Sequence, residues 1–135
     1  MPDKGILELT KDLTFTKVVI EEGVTRVGAG AFMHAGNVTE VSLPDSLESI
    51  GEEAFFNTDH LKKVSLPKNL TSLGDSAFKF SALEEVNLPA GLKEVGSEVF
   101  SECHALKTVI VEEGVSVIGP RMFSECSEKI GRAHV

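Results

Sequence analysis

Apolar and polar positions alternate along short stretches of the chain and then change rhythm. Lys63-Val64-Ser65-Leu66 has period two, which predicts a short strand with Val64 and Leu66 facing inward. Pro67 ends it, because proline brings no N–H to a ladder. Leu70 and Leu73 open and close a second short extended segment, and Gly74 then turns the chain into about one helical turn, Asp75 to Phe80. Acidic residues in the matching turns (Glu52, Glu53, Asp75, Glu98) complement its N-terminal dipole, and Pro120 suits a first helical position. Ala77 and Phe78 are expected to pack beneath it.

The same sequence of elements recurs. Phe32, Phe55, Phe78, Phe100 and Phe123 are spaced 23, 23, 22 and 23 residues apart. Gly28, Gly51, Gly74, Gly96 and Gly119 keep step, as do Val18, Val41, Val64, Val86 and Val109. The single 22 means that one residue is missing between Phe78 and Leu83. A unit of this size cannot close a core alone, so the coils must stack, each burying its Phe against the next. The expected product is a solenoid.

The unit Leu61-x-x-Val64-x-Leu66-Pro67-x-x-Leu70-x-x-Leu73-Gly74-x-x-Ala77-Phe78 resembles the BspA-like class of leucine-rich repeat. That unit ends in a cysteine three residues after the Phe, where Cys103 and Cys126 stand; Ala35, Thr58 and Ser81 fill the slot in earlier coils. The resemblance covers about residues 15 to 128. It implies a right-handed, curved solenoid of short strands with a strand-lined concave face, and protein binding or adhesion at microbial cell surfaces. It brings no catalytic residues. Residues 1–17 read as a degenerate N-terminal coil, with Leu9 where the Phe ladder would continue backward and Phe15 where Leu61 sits. Residues 18–128 hold five repeats. The last seven residues, Lys129 to Val135, look like the in-frame translation of a sequencing adapter and are expected to be a non-native tail.

Composition narrows the function more than the fold. With 13 basic against 21 acidic residues the net charge is −8, which argues against nucleic acid or an anionic membrane as partner. No run of 18 apolar residues is present to span a bilayer. The N-terminus lacks the basic and apolar regions of a signal peptide, so either the protein is cytosolic or the start of a longer chain is missing. A cell-surface or secreted location is implied by the resemblance alone.

Candidate chemistry dissolves into the repeat. Cys103 and Cys126 lie one coil apart, where a disulfide is conceivable, but two small buried thiols in a core ladder are the favoured reading. His34, His60 and His104 fall in different columns and do not converge as metal ligands must. Ser76-Ala77-Phe78-Lys79 matches the S-x-x-K motif of some acyl enzymes, but its Ala-Phe pair belongs to the repeat. Gly23-x4-Gly28 lacks the Lys-Ser/Thr of a phosphate loop. The acceptor triplets at Asn37 and Asn69 each carry a core residue in the middle, so they read as by-products of the repeat. No catalytic residue, metal ligand or cofactor is expected.

What remains is the guest positions of the first strand of each coil, at 39–42, 62–65, 84–87 and 107–110. Glu40, Lys63 and Glu85 form one column, and Lys62, Glu84 and Lys107 form another, with signs alternating between rungs as stabilising cross-strand pairs. Val19, Ser42, Ser65, Asn87 and Ile110 form the next column of this face. Phe56 lies off the Phe ladder and is the candidate exposed aromatic anchor, whereas Phe80 is expected to fill the space left by the missing residue. The favoured reading is a non-enzymatic interaction or adhesion module that binds a protein partner through this face. A structural spacer of a longer surface protein is the alternative, and a parallel β-helix carbohydrate-active enzyme is disfavoured by the alternating signs. The C-terminal coil carries no polar cap, so end-to-end self-association through it is also expected.

Overall fold

The computed structural model describes residues 15–126 in full, with the backbone of two flanking strands at 6–7 and 131–134. Most of the degenerate first coil and part of the seven-residue tail therefore lie outside the described residues. In chain order the strands are β1 (Ile6–Leu7), β2 (Lys17–Val19), β3 (Arg26–Val27), β4 (Glu40–Ser42), β5 (Ser49–Ile50), β6 (Lys63–Val64), β7 (Ser72–Leu73), β8 (Glu85–Leu88), β9 (Glu94–Val95), β10 (Thr108–Val111) and β11 (Gly131–His134). Their pairing is parallel throughout and joins each coil to the next, so the chain is a parallel β-solenoid.

The strands sort into two faces. A side sheet runs β1-β3-β5-β7-β9 without interruption. The first strand of each coil contributes to a front face, the one that the family resemblance implies is concave. Two separate sheets make up this face, β2-β4-β6 and β8-β10-β11. The register of the last pair sets Arg132 opposite Val109, extending a column that holds valine at 18, 41, 64 and 86.

The third side of each coil differs from the sequence expectation. No helical turn forms at Asp75 to Phe80 or at its equivalents. Instead two residues four apart adopt positive φ in coil after coil: Glu53 and Asn57, Ser76 and Phe80, Glu98 and Glu102, Arg121 and Glu125. A helix would turn its N–H groups back onto its own carbonyls. Here alternate N–H groups point along the solenoid axis: Phe32 donates to Ala54 O, Phe55 to Ala77 O, Phe78 to Val99 O and Phe100 to Met122 O, at 2.7–2.9 Å. The segment is a third ladder between coils. Its acidic residues bridge coils rather than cap helices, as where Asp75 Oδ1 accepts from Ser97 N at 2.9 Å.

Inside, the Phe column is a continuous stack. Phe32, Phe55, Phe78 and Phe100 are fully buried, with successive ring centroids 5.0, 5.1 and 5.4 Å apart; Phe123 adds a further ring at 5.8 Å, with all planes within 10° of parallel. Such spacing suits offset aromatic stacking. The glycine column is fixed by close approach of neighbouring coils. A Cβ on Gly51 would lie 2.8 Å from the backbone nitrogen of Ala29, and one on Gly74 would collide with the backbone of Glu52.

Candidate functional site

The missing residue can be placed within three positions. In the regular coils the slot after the Phe is followed by a three-residue step into the next core leucine or valine: Ala35 to Val38, Thr58 to Leu61, Cys103 to Leu106. In each the step closes as a turn, with Val38 N, Leu61 N and Leu106 N donating to the carbonyl three residues back at 3.2, 2.9 and 3.2 Å. Ser81 to Leu83 takes only two residues. Both ends stay anchored, Ser81 being 5% exposed and Leu83 fully buried, so no such turn forms. Ala82 N reaches instead to Leu61 O of the preceding coil at 3.0 Å.

Shortening the entry to β8 breaks the front face there. No ladder joins β6 to β8, although the side sheet pairs β7 with β9 in the same two coils. The break opens a cleft of about 420 Å³ lined by Lys62, Lys63, Val64 and Ser65 on one wall and Glu84 and Glu85 on the other. Val64 shows the effect inside the fold. Val18, Val41, Val86 and Val109 are buried, whereas Val64 is only half-buried. Leu66, expected to face inward, is half-buried, as is its equivalent Leu43 in the intact part of the face. On the outer side of the same short loop lies a hollow of about 370 Å³ bordered by Asn57, Asp59, Phe80, Ser81, Glu102 and His104.

The expected columns exist, but the expected charge pairing does not. Register places Glu40 beside Lys17 and Lys63, and Glu85 beside Thr108. Lys62 N donates to Thr39 O and Lys107 N to Glu84 O, which stacks the adjacent column. Among the described residues the one ion pair on this face is Lys17–Glu40, at 3.9 Å and well exposed, a pair worth little in stability. Lys62, Lys63, Glu84, Glu85 and Lys107 are exposed and make no ion pair among the described residues. The opening holds the two lysines away from the two glutamates. Val19, 62% exposed, stands on the same face beside Ser42, while Asn87 pairs in register with the half-buried Ile110. Ser42, Ser65 and Asn87 are exposed.

The two off-ladder aromatics exchange the roles expected of them. Phe56 is half-buried, held edge-on between His34 and Phe80 with centroids 5.8 and 5.7 Å away. Phe80 is the exposed one, at 38%, with Lys79 Nζ 5.6 Å over its ring. Space left by the missing residue stays open, and Phe80 borders it rather than filling it. A spacing of 22 in place of 23 was the signal that could have located the site, because both clefts lie beside the shortened step.

Other candidate groups are spread along the coils. His34, His60 and His104 are exposed; His34 bonds to Asn57 of the next coil, and His60 and His104 bond locally to Asp59 and Glu102. Among the described residues no group of His, Cys, Asp and Glu is placed to hold a metal ion. Cys103 and Cys126 are free thiols, each donating to the Phe carbonyl of the preceding coil at 3.3 Å. Burial pushes the Cys103 thiol up to about 11, against the smaller opposing effect of the Ser81 hydrogen bond, and burial raises Cys126 as well. Thiols so protonated are poor nucleophiles. The carboxylate of Glu98 is held below its usual range by the Lys79 ammonium at 2.7 Å, with Arg121 3.4 Å away.

The BspA-type leucine-rich repeat region matches residues 9–129 in six copies. The chain belongs to that family. No curated protein matches the sequence. Among solved structures, a leucine-rich cell surface protein of Faecalibacterium prausnitzii is similar at 28% identity with a TM-score of 0.71, over 90% of this chain and 36% of that one. The pneumococcal vaccine antigen PcpA is similar at 22% identity, with a TM-score of 0.88 over 98% of this chain and 34% of that one. A leucine-rich repeat protein of Bacteroides ovatus is similar at 24% identity, with a TM-score of 0.66 over 82% of this chain and 35% of that one. The chain thus spans about a third of the length of these similar structures. At such identities PcpA and the Bacteroides protein share the fold with it. BspA-type proteins are generally non-enzymatic repeat proteins.

Proposed function

We propose that this chain is a non-enzymatic protein-binding module, displayed at a cell surface, that engages its partner through the front face at the opening between β6 and β8. The observation that carries the reading is the cleft itself. Four exposed charges of both signs surround a half-buried valine and make no ion pair among the described residues, on a sheet whose ladder is interrupted at that point. Groups left in this state gain most from an outside partner, because their pairing within the chain has not been completed. The surface location is supported by the family and by the name of the similar Faecalibacterium protein.

A random-peptide display library panned against the chain tests this. Selected peptides should lose at least about tenfold in affinity on Lys62→Glu with Lys63→Glu. They should be indifferent to Lys93→Glu, whose lysine is exposed outside the front face just before β9. Peptides that ignore the first variant and respond to the second would move the site off the front face.

A further inference from the structure

The charges around the opening carry an order that a generic binding face does not require. Two adjacent columns run along the entry to the front strands. Rung by rung they read Thr39 and Glu40, Lys62 and Lys63, Glu84 and Glu85, Lys107 and Thr108. The opening lies at the centre of this grid. In an isologous contact the two-fold axis lies in the plane of the interface. An axis lying in the front face, parallel to the strands and running along the opening, sets Lys62 against Glu84 and Lys63 against Glu85 of the second copy, with Thr39 against Lys107 and Glu40 against Thr108. The four charges at the opening each meet their opposite, and no like pair arises. The pattern is self-complementary, as the contact patch of a two-fold dimer must be.

We infer that the front face docks on a second copy of this chain, in an isologous contact centred on the opening between β6 and β8. The inference rests on the reading of the front face as the binding surface and names its partner. A net charge of −8 makes two copies repel at long range, so association needs a local patch where opposite signs face each other. The half-buried Val64 lies close to the axis and gives the patch an apolar centre. Four exposed charges at the opening and one valine per copy make a small contact, which places the dimer among weak, salt-sensitive associations.

Sedimentation equilibrium of the whole chain over a concentration series at low salt tests the inference. Two quadruple-charge faces provide the decisive arms. One carries Lys62→Glu and Lys63→Glu, leaving four acids around the cleft; the other carries Glu84→Lys and Glu85→Lys, leaving four bases. Each alone should self-associate at least about tenfold more weakly than the parent chain. An equimolar mixture of the two should associate again, because the rotation sets the acids of one on the bases of the other. Unchanged thermal unfolding of both variants would show that the fold is intact, as expected for exposed positions. A parent chain that stays monomeric at every concentration overturns the inference. So does association that both variants leave untouched, which would assign it to another contact such as the C-terminal coil. If the parent is monomeric while display peptides still depend on Lys62 and Lys63, the dimer falls and the front-face reading stands.

Discussion

Two sheets are built from the same coils, and a single missing residue breaks one while sparing the other. The side sheet keeps its register from β1 to β9 across the short coil, pairing Ser72 with Glu94 and Leu73 with Val95. The front face loses its ladder between β6 and β8. The difference lies in what precedes each strand. Side strands follow the Pro-anchored turn, where Leu70 N and Leu92 N donate to Pro67 O and Pro89 O in equivalent fashion. Front strands follow the step that has lost a residue, between two anchors that the core does not release. Strain from a deletion is therefore confined to one corner of the coil. Repeat proteins tolerate changes at such corners because stacking of the remaining ladders continues to bury the core.

The comparison predicts unequal sensitivity to truncation of buried side chains. Phe78→Ala removes a ring from the uninterrupted stack and should cost about 3–5 kcal/mol in chemical denaturation. Val41→Ala, in the intact part of the front face, should cost about 2 kcal/mol. Val64→Ala should cost clearly less, because the opening already exposes that side chain. Equal losses for the two valines would mean that the front face is closed in solution.

The next effect is smaller and depends on pH. Cys103 is tied to the short loop through Ser81 Oγ, 3.2 Å from its sulfur. Its thiol stays protonated to about 11 in the folded chain, whereas an ordinary thiol ionises near 9.0. Between those values the unfolded state gives up a proton that the native state keeps, so stability falls as pH rises. Below the ordinary thiol value this group contributes no pH dependence. The slope added by one such proton is at most about 1.4 kcal/mol per pH unit. Cys103→Ala should remove that part of the slope, and alanine suits the slot, since Ala35 fills it fully buried one end away. Identical alkaline unfolding of parent and variant would show that the thiol is not buried.

Much of the fold was legible because one short pattern repeats. Each Phe, Gly and Val column found in the structure was countable in the sequence, and the period itself required stacking. The turn segment was not legible. Asp75 to Phe80 reads as a helical turn by composition, but Ser76 and Phe80 take positive φ so that alternate N–H groups reach the next coil. Interaction with neighbours overrides local propensity there, at residues that do not advertise left-handed backbone. The front face was legible as columns and misread as pairs, because alternating signs say nothing about distance. Spacing did carry the site, in the one interval of 22, but a deletion alone does not reveal which ladder will break.

Restoring the missing residue gives the smallest stability change and the sharpest test of the comparison. An asparagine inserted between Ser81 and Ala82 returns the step to the length of Thr58 to Leu61. Leu83 N could then donate to a carbonyl three residues back, as Leu61 N does to Thr58 O at 2.9 Å. With the entry relaxed, β8 should move into register with β6 at the ordinary rung spacing of about 4.8 Å. The few ladder hydrogen bonds gained are each worth about 1 kcal/mol, partly offset by ordering the added residue, so net stability should rise by about 1 kcal/mol. Amide exchange should report the change directly, with protection rising from Lys63 to Leu66 and staying constant in β7 and β9. Closure would also bring Lys63 against Glu85 and Lys62 against Glu84 within one chain, satisfying the charges that now face outward. Self-association and peptide binding should both weaken as a result. If exchange at 63–66 stays the same while the insertion is tolerated, the break has another cause, and the missing residue is not what makes the cleft.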